Sequence, residues 1–320
     1  MTLYVLGLDG GGTKTDVLIC TVDGQVTGQF TGSASSISGQ SIEHALENLG
    51  VILQKTLRSC GLSSHQIAGY YAGISGAGLP QNQQMFQQFF DEFFPGVPGR
   101  AGSDAANALA AGIGLRDGCI AIAGTGSCVQ YRTNGIMKRI GGWGYLLGDE
   151  GSGYDLGKRA ITVPLQTEDG RMQPCRLSAL CREQMQLSLE HFTAWLYRQD
   201  AKQVISGYAP LLMRAAAEND PVAVQHMQEA TAEMAHAIKT AAKAAQSPWV
   251  VLGGSLWKNH LYRFFVRQHL PDHISFVIPQ TAPVYGAAVL AGQAVSEKAS
   301  QDLFEALCKH SDTAQEGILC

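Results

Sequence analysis

The sequence predicts an α/β protein built from two similar halves, and three observations lead to that prediction. The first 114 residues follow the order strand, strand, strand, helix, strand, helix. A strand, a glycine loop, a strand, a tight turn and a strand then follow from residue 119. Both glycine loops come directly after the first strand of their half, which is typical of an internal duplication. We expect residues 1–114 to form the first domain and 115–320 the second, whose last helix is a candidate for packing back on the first.

The elements of the first half follow from the spacing of apolar residues. LYVLGLD is a near-continuous apolar run that predicts a buried strand, and two β-rich runs follow it with Asp23-Gly24 between them, a strong hairpin signal. Leu46, Leu49 and Leu53 have helical spacing. The remaining predictions are a strand over 67–75, a helix over 81–94, a short strand within 96–104 and a helix that opens after Asp104.

The second half begins like the first and then becomes mostly helical. Residues 119–142 predict two strands around a glycine loop and a third strand after Asn134-Gly135. Residues 220–245 form the longest amphipathic stretch. Beyond it we expect strands in 249–256 and 276–280, a small-residue helix over 282–295, and a tail that is helical after about Gln301 and then disordered.

Composition limits the classes of function. A chain of 320 residues is long enough for two domains. It has no run of about 18 apolar residues that could span a membrane. The net charge of -4 argues against nucleic acid as a partner. The eight cysteines form no C-x-x-C pair and do not cluster with histidines at zinc spacing. We expect reduced cysteines, no signal peptide and a cytoplasmic location.

The first glycine loop, LDGGGTKT, suggests close approach of a phosphate chain to the backbone. It is not a P-loop, because Thr13 and Lys14 stand in the reverse order, and no helix follows as a Rossmann fingerprint requires. A β-hairpin phosphate loop remains, in which Gly11, Gly12, Thr13 and Lys14 contact the phosphates. A plain glycine-rich turn is the alternative for this loop taken alone.

The second loop, GTGS, favours the phosphate reading because it occupies the same place in the second half. Gly124, Thr125, Gly126 and Ser127 would then bind the same nucleotide from the opposite side. Such positioning suits phosphoryl transfer. Asp9, at the end of the first strand, would hold Mg²⁺, through water.

Six motifs in order carry a resemblance to a known family: DGGGTKT, GISGAG, SDAANAL, GTGS, GGWGYLLGDEGSGYDLG and VLGGSL. With the duplicated lobes they resemble the BadF/BadG/BcrA/BcrD ATPase family, and most closely its N-acetylglucosamine kinase-like branch. The resemblance runs over residues 3–292, nearly the whole chain. It implies two ribonuclease H-like lobes of the actin, sugar kinase and heat-shock chaperone ATPase superfamily, the second with a helical elaboration. It also implies ATP and Mg²⁺ as cofactors and a small amino sugar as partner. We expect a homodimer formed through the helical second lobe.

The resemblance places the catalytic base at Asp104, where the alternative is a plain helix cap; an aspartate at a helix start would also stay ionised. Gly253 and Gly254 are implied to let the adenine or ribose approach, with a left-handed helix cap as the alternative. The predicted sugar contacts are Ser75, Gly76, Asn107, Trp143, Gly144, Asp149 and Glu150.

Several alternatives stay open at this level. Asp149 and Glu150 are a second candidate for the base or could cap the next helix, and Trp143 could be a core residue instead of a sugar contact. Ser33, Ser35 and Ser36 stand where the family tends to carry an asparagine and an aromatic residue, so the exact sugar is in doubt.

The resulting hypothesis is an ATP-dependent kinase that phosphorylates an amino sugar, N-acetylglucosamine or glucosamine, on its 6-hydroxyl. The alternative within the same family is an ATPase that activates a 2-hydroxyacyl-CoA dehydratase-type enzyme. Such activators bridge an iron–sulfur cluster between subunits, and their second loop is of the type GGQD, whereas this chain has GTGS.

Overall fold

The computed structural model describes residues 2–37 and 39–308, and its first elements follow the predicted order closely. These elements are β1 (Tyr4–Gly10), β2 (Thr15–Thr21), β3 (Val26–Gly32), α1 (Ile42–Ser59), β4 (Ile67–Ile74), α2 (Pro80–Phe93), β5 (Gly99–Gly102) and α3 (Asp104–Ile113). Helix α1 begins where the sequence predicts it because Ser41 caps it, its side chain accepting a hydrogen bond from the His44 backbone N–H.

The middle of the chain is a second set of strands interrupted by helices. Its elements are β6 (Gly118–Ala123), β7 (Ser127–Thr133), β8 (Ile136–Ile140), α4 (Gly153–Glu168), α5 (Arg176–Met185), α6 (Leu189–Leu196), α7 (Ala201–Ser206), α8 (Ala209–Ala217), α9 (Pro221–Ala245), β9 (Trp249–Gly253), α10 (His260–Gln268) and β10 (Ser275–Val277). The chain then forms α11 (Pro283–Gln293) and α12 (Glu297–Leu307).

The strands of the described residues form two five-stranded sheets with the same topology. The first has the order β3-β2-β1-β4-β5 and the second β10-β9-β6-β7-β8. In each, the first three strands pair antiparallel, and the next strand along the chain runs parallel to the first of them. The duplication predicted from the two glycine loops is thus present in the strand order.

Two compact units share the chain. The described residues up to 116 and those of 277–308 form the first, and residues 117–276 form the second. Helices α11 and α12 therefore belong to the first unit, although they follow the second in sequence. Each unit has a hydrophobic core of its own.

The first sheet is covered on both faces, as the alternation of its strands requires. Leu6 and Leu8 of β1 are fully buried and pack in one cluster with residues of α1 and α2, such as Leu49 and Phe90. Because successive side chains of a strand point to opposite faces, Gly7 faces the other side, where α11 crosses β1.

Close backbone approach explains two of the glycines in the first unit. A Cβ atom on Gly7 would lie 2.4 Å from the Ala288 backbone nitrogen of α11. A Cβ atom on Gly286 would lie 1.9 Å from the carbonyl oxygen of Asn107 in α3. The sheet, α3 and α11 therefore pack with backbone against backbone, which fixes the position of α3.

Two element boundaries differ from the prediction. Helix α3 begins at Asp104 itself, because Ser103 is its N-cap and accepts a hydrogen bond from the Ala105 N–H. Helix α12 begins at Glu297, before the predicted start near Gln301, and Ser296 caps it. The disordered tail predicted after this helix lies outside the described residues.

Among the residues that the structure describes, we find no helix with both the length and the apolar character needed to cross a bilayer. This agrees with the lack of a long apolar run in the sequence.

Gly286→Ala is expected to lower the free energy of unfolding by about 3 kcal/mol, because its methyl group would overlap the backbone of α3. Gly50→Ala is the matched control. Gly50 lies inside α1, the nearest atom to an added Cβ is 4.0 Å away on Phe89, and alanine favours helix, so unfolding should cost about 0.5–1 kcal/mol more. Urea denaturation measures both, and a destabilisation of equal size in the two variants would contradict the packing described for α11.

Candidate functional site

The first glycine loop is the hairpin between β1 and β2. The Gly11 N–H donates to the Lys14 carbonyl oxygen at 2.9 Å, which closes the turn, and Gly12 and Thr13 are exposed. An added Cβ on Gly12 would meet no atom within 4 Å, so this side of the turn is open to a ligand. Lys14 pairs with Asp16, Nζ to Oδ2 at 2.6 Å, and its side chain is 60% exposed. Phosphate binding by these four residues stays a prediction.

Asp9 ends β1 beside this hairpin, and its carboxylate is held by a buried amide. The Asn107 Nδ2 donates to Asp9 Oδ1 at 2.8 Å. Burial raises the pKa of Asp9 to about 6, and the hydrogen bond from Asn107 opposes that rise. The negative charges of Asp104 and Asp16 raise it further. A carboxylate with this surplus of nearby negative charge is a good place for a cation.

Asn107 is a predicted sugar contact, and the structure surrounds its side chain with protein. Its side chain is fully buried, and its Nδ2 also donates to the Leu8 carbonyl oxygen at 3.1 Å and lies 3.4 Å from the Gly73 carbonyl oxygen. The side chain is enclosed by β1, β4 and α3, and its Oδ1 has no hydrogen-bond partner among the described residues. Asn107 positions Asp9 relative to the start of α3, and its predicted contact with a sugar stays a prediction.

Asp104 is the first residue of α3, and the predicted cap role belongs to its neighbour. Ser103 is the N-cap, while Asp104 Oδ1 accepts from the Ala105 N–H at 2.9 Å. Burial raises the pKa of Asp104, in contrast to the easily ionised aspartate expected at a helix start, and hydrogen bonds from Ala105, Ser103 and Ser75 limit the rise. The higher pKa makes the carboxylate a stronger proton acceptor once it is ionised.

Ser75 connects Asp104 to the first hairpin. Its backbone N–H donates to the Gly10 carbonyl oxygen at 2.8 Å, and its hydroxyl donates to Asp104. Gly76 follows with φ +90, and a Cβ there would press on Ile37. The structure thus brings the hairpin, Asp9, Ser75 and Asp104 to one end of the first sheet.

The second glycine loop is the hairpin between β6 and β7 in the second unit. The Gly124 N–H donates to the Gly126 carbonyl oxygen at 2.9 Å, and Thr125 is exposed. The Gly153 N–H, at the start of α4, donates to the Gly124 carbonyl oxygen at 2.7 Å. The Ser127 hydroxyl donates to the carbonyl oxygen of Glu150 at 2.7 Å. The hairpin is therefore fixed to the start of α4, which is what a preorganised binding loop requires.

Asp149 and Glu150 occupy different environments. Asp149 has φ 62, its side chain is 6% exposed, and its Oδ2 lies 3.1 Å from the Nζ of Lys202. Glu150 is exposed. Neither caps α4, because Ser152 does, accepting from the Asp155 N–H. The predicted sugar contacts of both carboxylates stay predictions, but the capping alternative is excluded.

Trp143 is not a core residue, which was the alternative to a sugar contact. Its side chain is 66% exposed, and the Arg139 guanidinium lies 4.2 Å from the ring centroid. Gly144 follows with φ +86, and an added Cβ there would meet no atom within 4 Å. An exposed aromatic face on a glycine-rich loop is available to a ligand.

Gly253 and Gly254 close β9 beside β6. A Cβ on Gly254 would lie 2.3 Å from the Ala123 carbonyl oxygen, and φ is +101. Gly254 precedes a 3-10 turn, so it is not the left-handed cap of a helix C-terminus. Packing on β6 explains the need for glycine at 254, and the predicted approach of adenine or ribose stays a prediction.

Comparison with known proteins decides the family. The BadF/BadG/BcrA/BcrD ATPase family pattern matches residues 6–291 of the chain. This chain belongs to the BadF/BadG/BcrA/BcrD ATPase family. ATP is accordingly the nucleotide that the chain uses.

Individual relatives cover nearly the full length. The chain is 30% identical over 302 residues to the N-acetylmuramic acid/N-acetylglucosamine kinase of Clostridium acetobutylicum, covering 90% of this chain and 98% of the relative. It is 25% identical over 309 residues to the N-acetyl-D-glucosamine kinase of Dictyostelium discoideum, with 89% and 97% covered.

A solved structure confirms the predicted fold, two actin-like ATPase lobes. The crystal structure of a Chromobacterium violaceum protein described as "Putative N-acetylglucosamine Kinase" matches with a TM-score of 0.66 and 27% identity, covering 90% of this chain and 98% of that chain. A Porphyromonas gingivalis protein at 21% identity and a TM-score of 0.63 shares the fold.

Sequence reasoning missed two residues that the structure places at the candidate site. Lys202 lies in α7, about 75 residues from the hairpin that it approaches, and no spacing rule connects the two. Arg139 lies over the Trp143 ring from the preceding strand. A cation four residues before an aromatic residue does not by itself predict such a contact.

Asp9→Asn is expected to stabilise the metal-free and nucleotide-free protein at pH 7. The pKa of Asp9 rises from 3.8 to about 6, so the stability linked to its protonated form is complete below about pH 4 and is lost as the pH rises through 6. Asparagine mimics the protonated form, and the gain at pH 7 should be at most about 3 kcal/mol and small at pH 4. Urea denaturation in EDTA at both pH values measures it.

Asp23→Asn is the control for this experiment. Asp23 is exposed and accepts a hydrogen bond from the Thr21 hydroxyl, which lowers the pKa of Asp23. Its loss should therefore lower stability at pH 7, the opposite sign. An Asp9→Asn effect that is the same at pH 4 and pH 7 would show that the carboxylate is not strained by burial.

Proposed function

We propose that this chain is an ATP-dependent kinase that transfers the γ-phosphate to a hydroxyl of an amino sugar. The acceptor hydroxyl is the 6-hydroxyl, and the sugar is N-acetylglucosamine or glucosamine. The relatives named above are kinases of amino sugars, and one of them also takes N-acetylmuramic acid. The observation that carries the proposal is the carboxylate of Asp104, half-buried at the start of α3 and joined through Ser75 to the first glycine hairpin.

Proton transfer to Asp104 is the chemical step assigned to the protein. The sugar O–H loses its proton to the Asp104 carboxylate while the oxygen attacks the γ-phosphorus, and ADP leaves with the electrons of the broken P–O bond. The raised pKa of Asp104 suits this role, since a base of higher pKa takes the proton more readily. The exposed hairpins of the two units are each proposed to hold phosphate oxygens with backbone N–H groups and the hydroxyls of Thr13 and Thr125. The Ser127 hydroxyl already donates to the Glu150 carbonyl oxygen, so Ser127 would contribute its backbone only.

The residues around Asp9 fit Mg²⁺ of the kind that accompanies ATP. No group of three or more His, Cys, Asp or Glu side chains that could hold a metal occurs in residues 2–37 and 39–308. Mg²⁺ in kinases needs no such group, because it is bound by one or two carboxylates, phosphates and water. Asp9 is a carboxylate whose charge is unfavourable without a cation, and Asn107 holds it in place. Bound there, Mg²⁺ would neutralise charge on the phosphates.

The sugar contacts are proposed on exposed or partly exposed residues and on the largely buried Asp149 carboxylate. Trp143 and Gly144 offer an aromatic face and space beside it. Asp149, Glu150 and the exposed Gly76 complete this set. Homodimer formation and a cytoplasmic location stay predictions from the sequence.

Asp104→Asn tests the proposal in a coupled assay of ADP release. The panel contains N-acetylglucosamine, glucosamine, N-acetylmuramic acid and, as the non-amino control, glucose. We expect one amino sugar to be phosphorylated by the unmodified protein and kcat to fall by about 10²-fold or more in the variant, the scale of a lost general base. The sugar KM should change little, because asparagine keeps the shape of the side chain. NMR of the product identifies the phosphorylated hydroxyl.

Asp302→Asn is the matched control, since Asp302 is an exposed residue of α12. It should retain full activity. If no sugar in the panel raises ADP release above background, the kinase proposal is wrong. Bound iron in protein purified without oxygen would instead support the dehydratase activator, whose cluster needs cysteine ligands. None of the seven cysteines of the described residues is in a disulfide.

A further inference from the structure

Lys202 brings an ammonium group to the second glycine hairpin. A Cβ atom on Gly126 would lie 3.1 Å from the Lys202 Nζ and 2.7 Å from the Asp149 Oδ2, so both charged groups lie directly on this glycine. The lysine comes from α7, which begins after the cap residue Asp200. A charge of each sign therefore borders the loop that the sequence predicts to bind phosphate.

The ion pair with Asp149 leaves part of the ammonium group available. Lys202 Nζ lies 3.1 Å from Asp149 Oδ2, yet that oxygen accepts no hydrogen bond with acceptable geometry. The Asp149 side chain is 6% exposed, whereas that of Lys202 is 33% exposed. An ammonium group has three protons to donate, and one carboxylate oxygen does not use them all. The Tyr145 ring lies on another side, with its centroid 5.6 Å from Nζ.

Helix α7 is held against α4 by glycines, so the position of Lys202 is fixed by backbone packing. A Cβ on Gly157 would lie 1.9 Å from the Ile205 carbonyl oxygen. A Cβ on Gly153 would lie 3.7 Å from the Cβ of Ser206. No side chain separates the two helices at these points. The first turn of α4 also donates a hydrogen bond to the hairpin through the Gly153 N–H. Helix α4 therefore positions both the hairpin and the helix that carries Lys202.

Among the described residues, we find no cationic side chain other than Lys202 in contact with this hairpin. The N–H groups at the start of α4 donate to the carbonyl oxygens of Gly124 and Thr125, so they are not free for an anion. Arg159 of α4 is bound to Asp155 and Glu229. A triphosphate chain is strongly anionic, and neutral N–H and hydroxyl donors alone would leave its charge unmatched.

We propose that Lys202 binds a phosphate group of ATP at the second hairpin, with Asp149 holding the ammonium in place before the nucleotide arrives. The proposal rests on the kinase function proposed above. Lysine binds phosphate as a compact charge, and the short distance to Gly126 places that charge where the hairpin would hold the phosphate chain. The ligand class is a nucleotide with at least two phosphates.

Nucleotide binding without sugar tests this directly. Calorimetry would compare a non-hydrolysable ATP analogue, ADP and adenosine on the unmodified protein and on Lys202→Met. We expect the Kd of the ATP analogue to rise by about 10-fold or more, the range for losing a charged hydrogen bond, while adenosine binding stays unchanged. Lys202→Arg, which keeps the charge, should lose less. Lys158→Met is the matched control, because Lys158 is an exposed lysine of the neighbouring helix α4, and it should bind all three ligands normally.

The double variant Lys202→Met with Asp149→Asn separates phosphate binding from mere neutralisation of Asp149. If Lys202 binds phosphate, the double variant also binds the ATP analogue weakly. Recovery of normal affinity in the double variant would overturn the proposal, and so would normal affinity in Lys202→Met alone. These outcomes leave the kinase function intact. Failure of the unmodified protein to bind the ATP analogue would overturn the proposal and the proposed function together.

Discussion

The buried amide of Asn107 is the contact on which the first half of the candidate site depends. It joins the end of β1, the end of β4 and the start of α3 through one side chain that has no exposed surface. Its Nδ2 donates to these partners, while its Oδ1 is buried without one. The amide therefore positions Asp9 directly, and the helix that carries Asn107 also carries Asp104.

Backbone packing gives the site its rigidity in both units. In the first unit, glycine at 7 and at 286 lets α11 press α3 against the sheet. In the second unit, Gly157 allows α7 to approach α4, and hydrogen bonds from the start of α4 hold the hairpin. Side chains in such places would push the helices outward and move the charged groups that the helices carry. The high glycine content of the chain, 37 residues, thus has more than one physical cause.

The two carboxylates of the first unit show how burial raises the affinity of a side chain for a proton or a cation. Asp9 and Asp104 both have a raised pKa because the surrounding protein removes water from them. An ionised carboxylate in such surroundings is unfavourable until a cation or a proton arrives. Added positive charge would therefore stabilise both carboxylates, and the proposed Mg²⁺ would supply it at Asp9 and the proton of the proposed substrate at Asp104. Neutral side chains at these two positions would stabilise the free protein, whereas the proposed function needs the charged carboxylates.

The sequence by itself determined the strands, the two hairpins, several helix starts and the duplication, because these depend on local periodicity, turn residues and caps such as Ser41. It also identified the family through six ordered motifs. It could not show that Asn107 is buried, that Trp143 is exposed, or that Ser103 rather than Asp104 caps α3. Nor could it find Lys202, about 75 residues from the hairpin it approaches. Those features depend on which surfaces the helices cover once packed, and on the water that packing removes, neither of which any local pattern encodes.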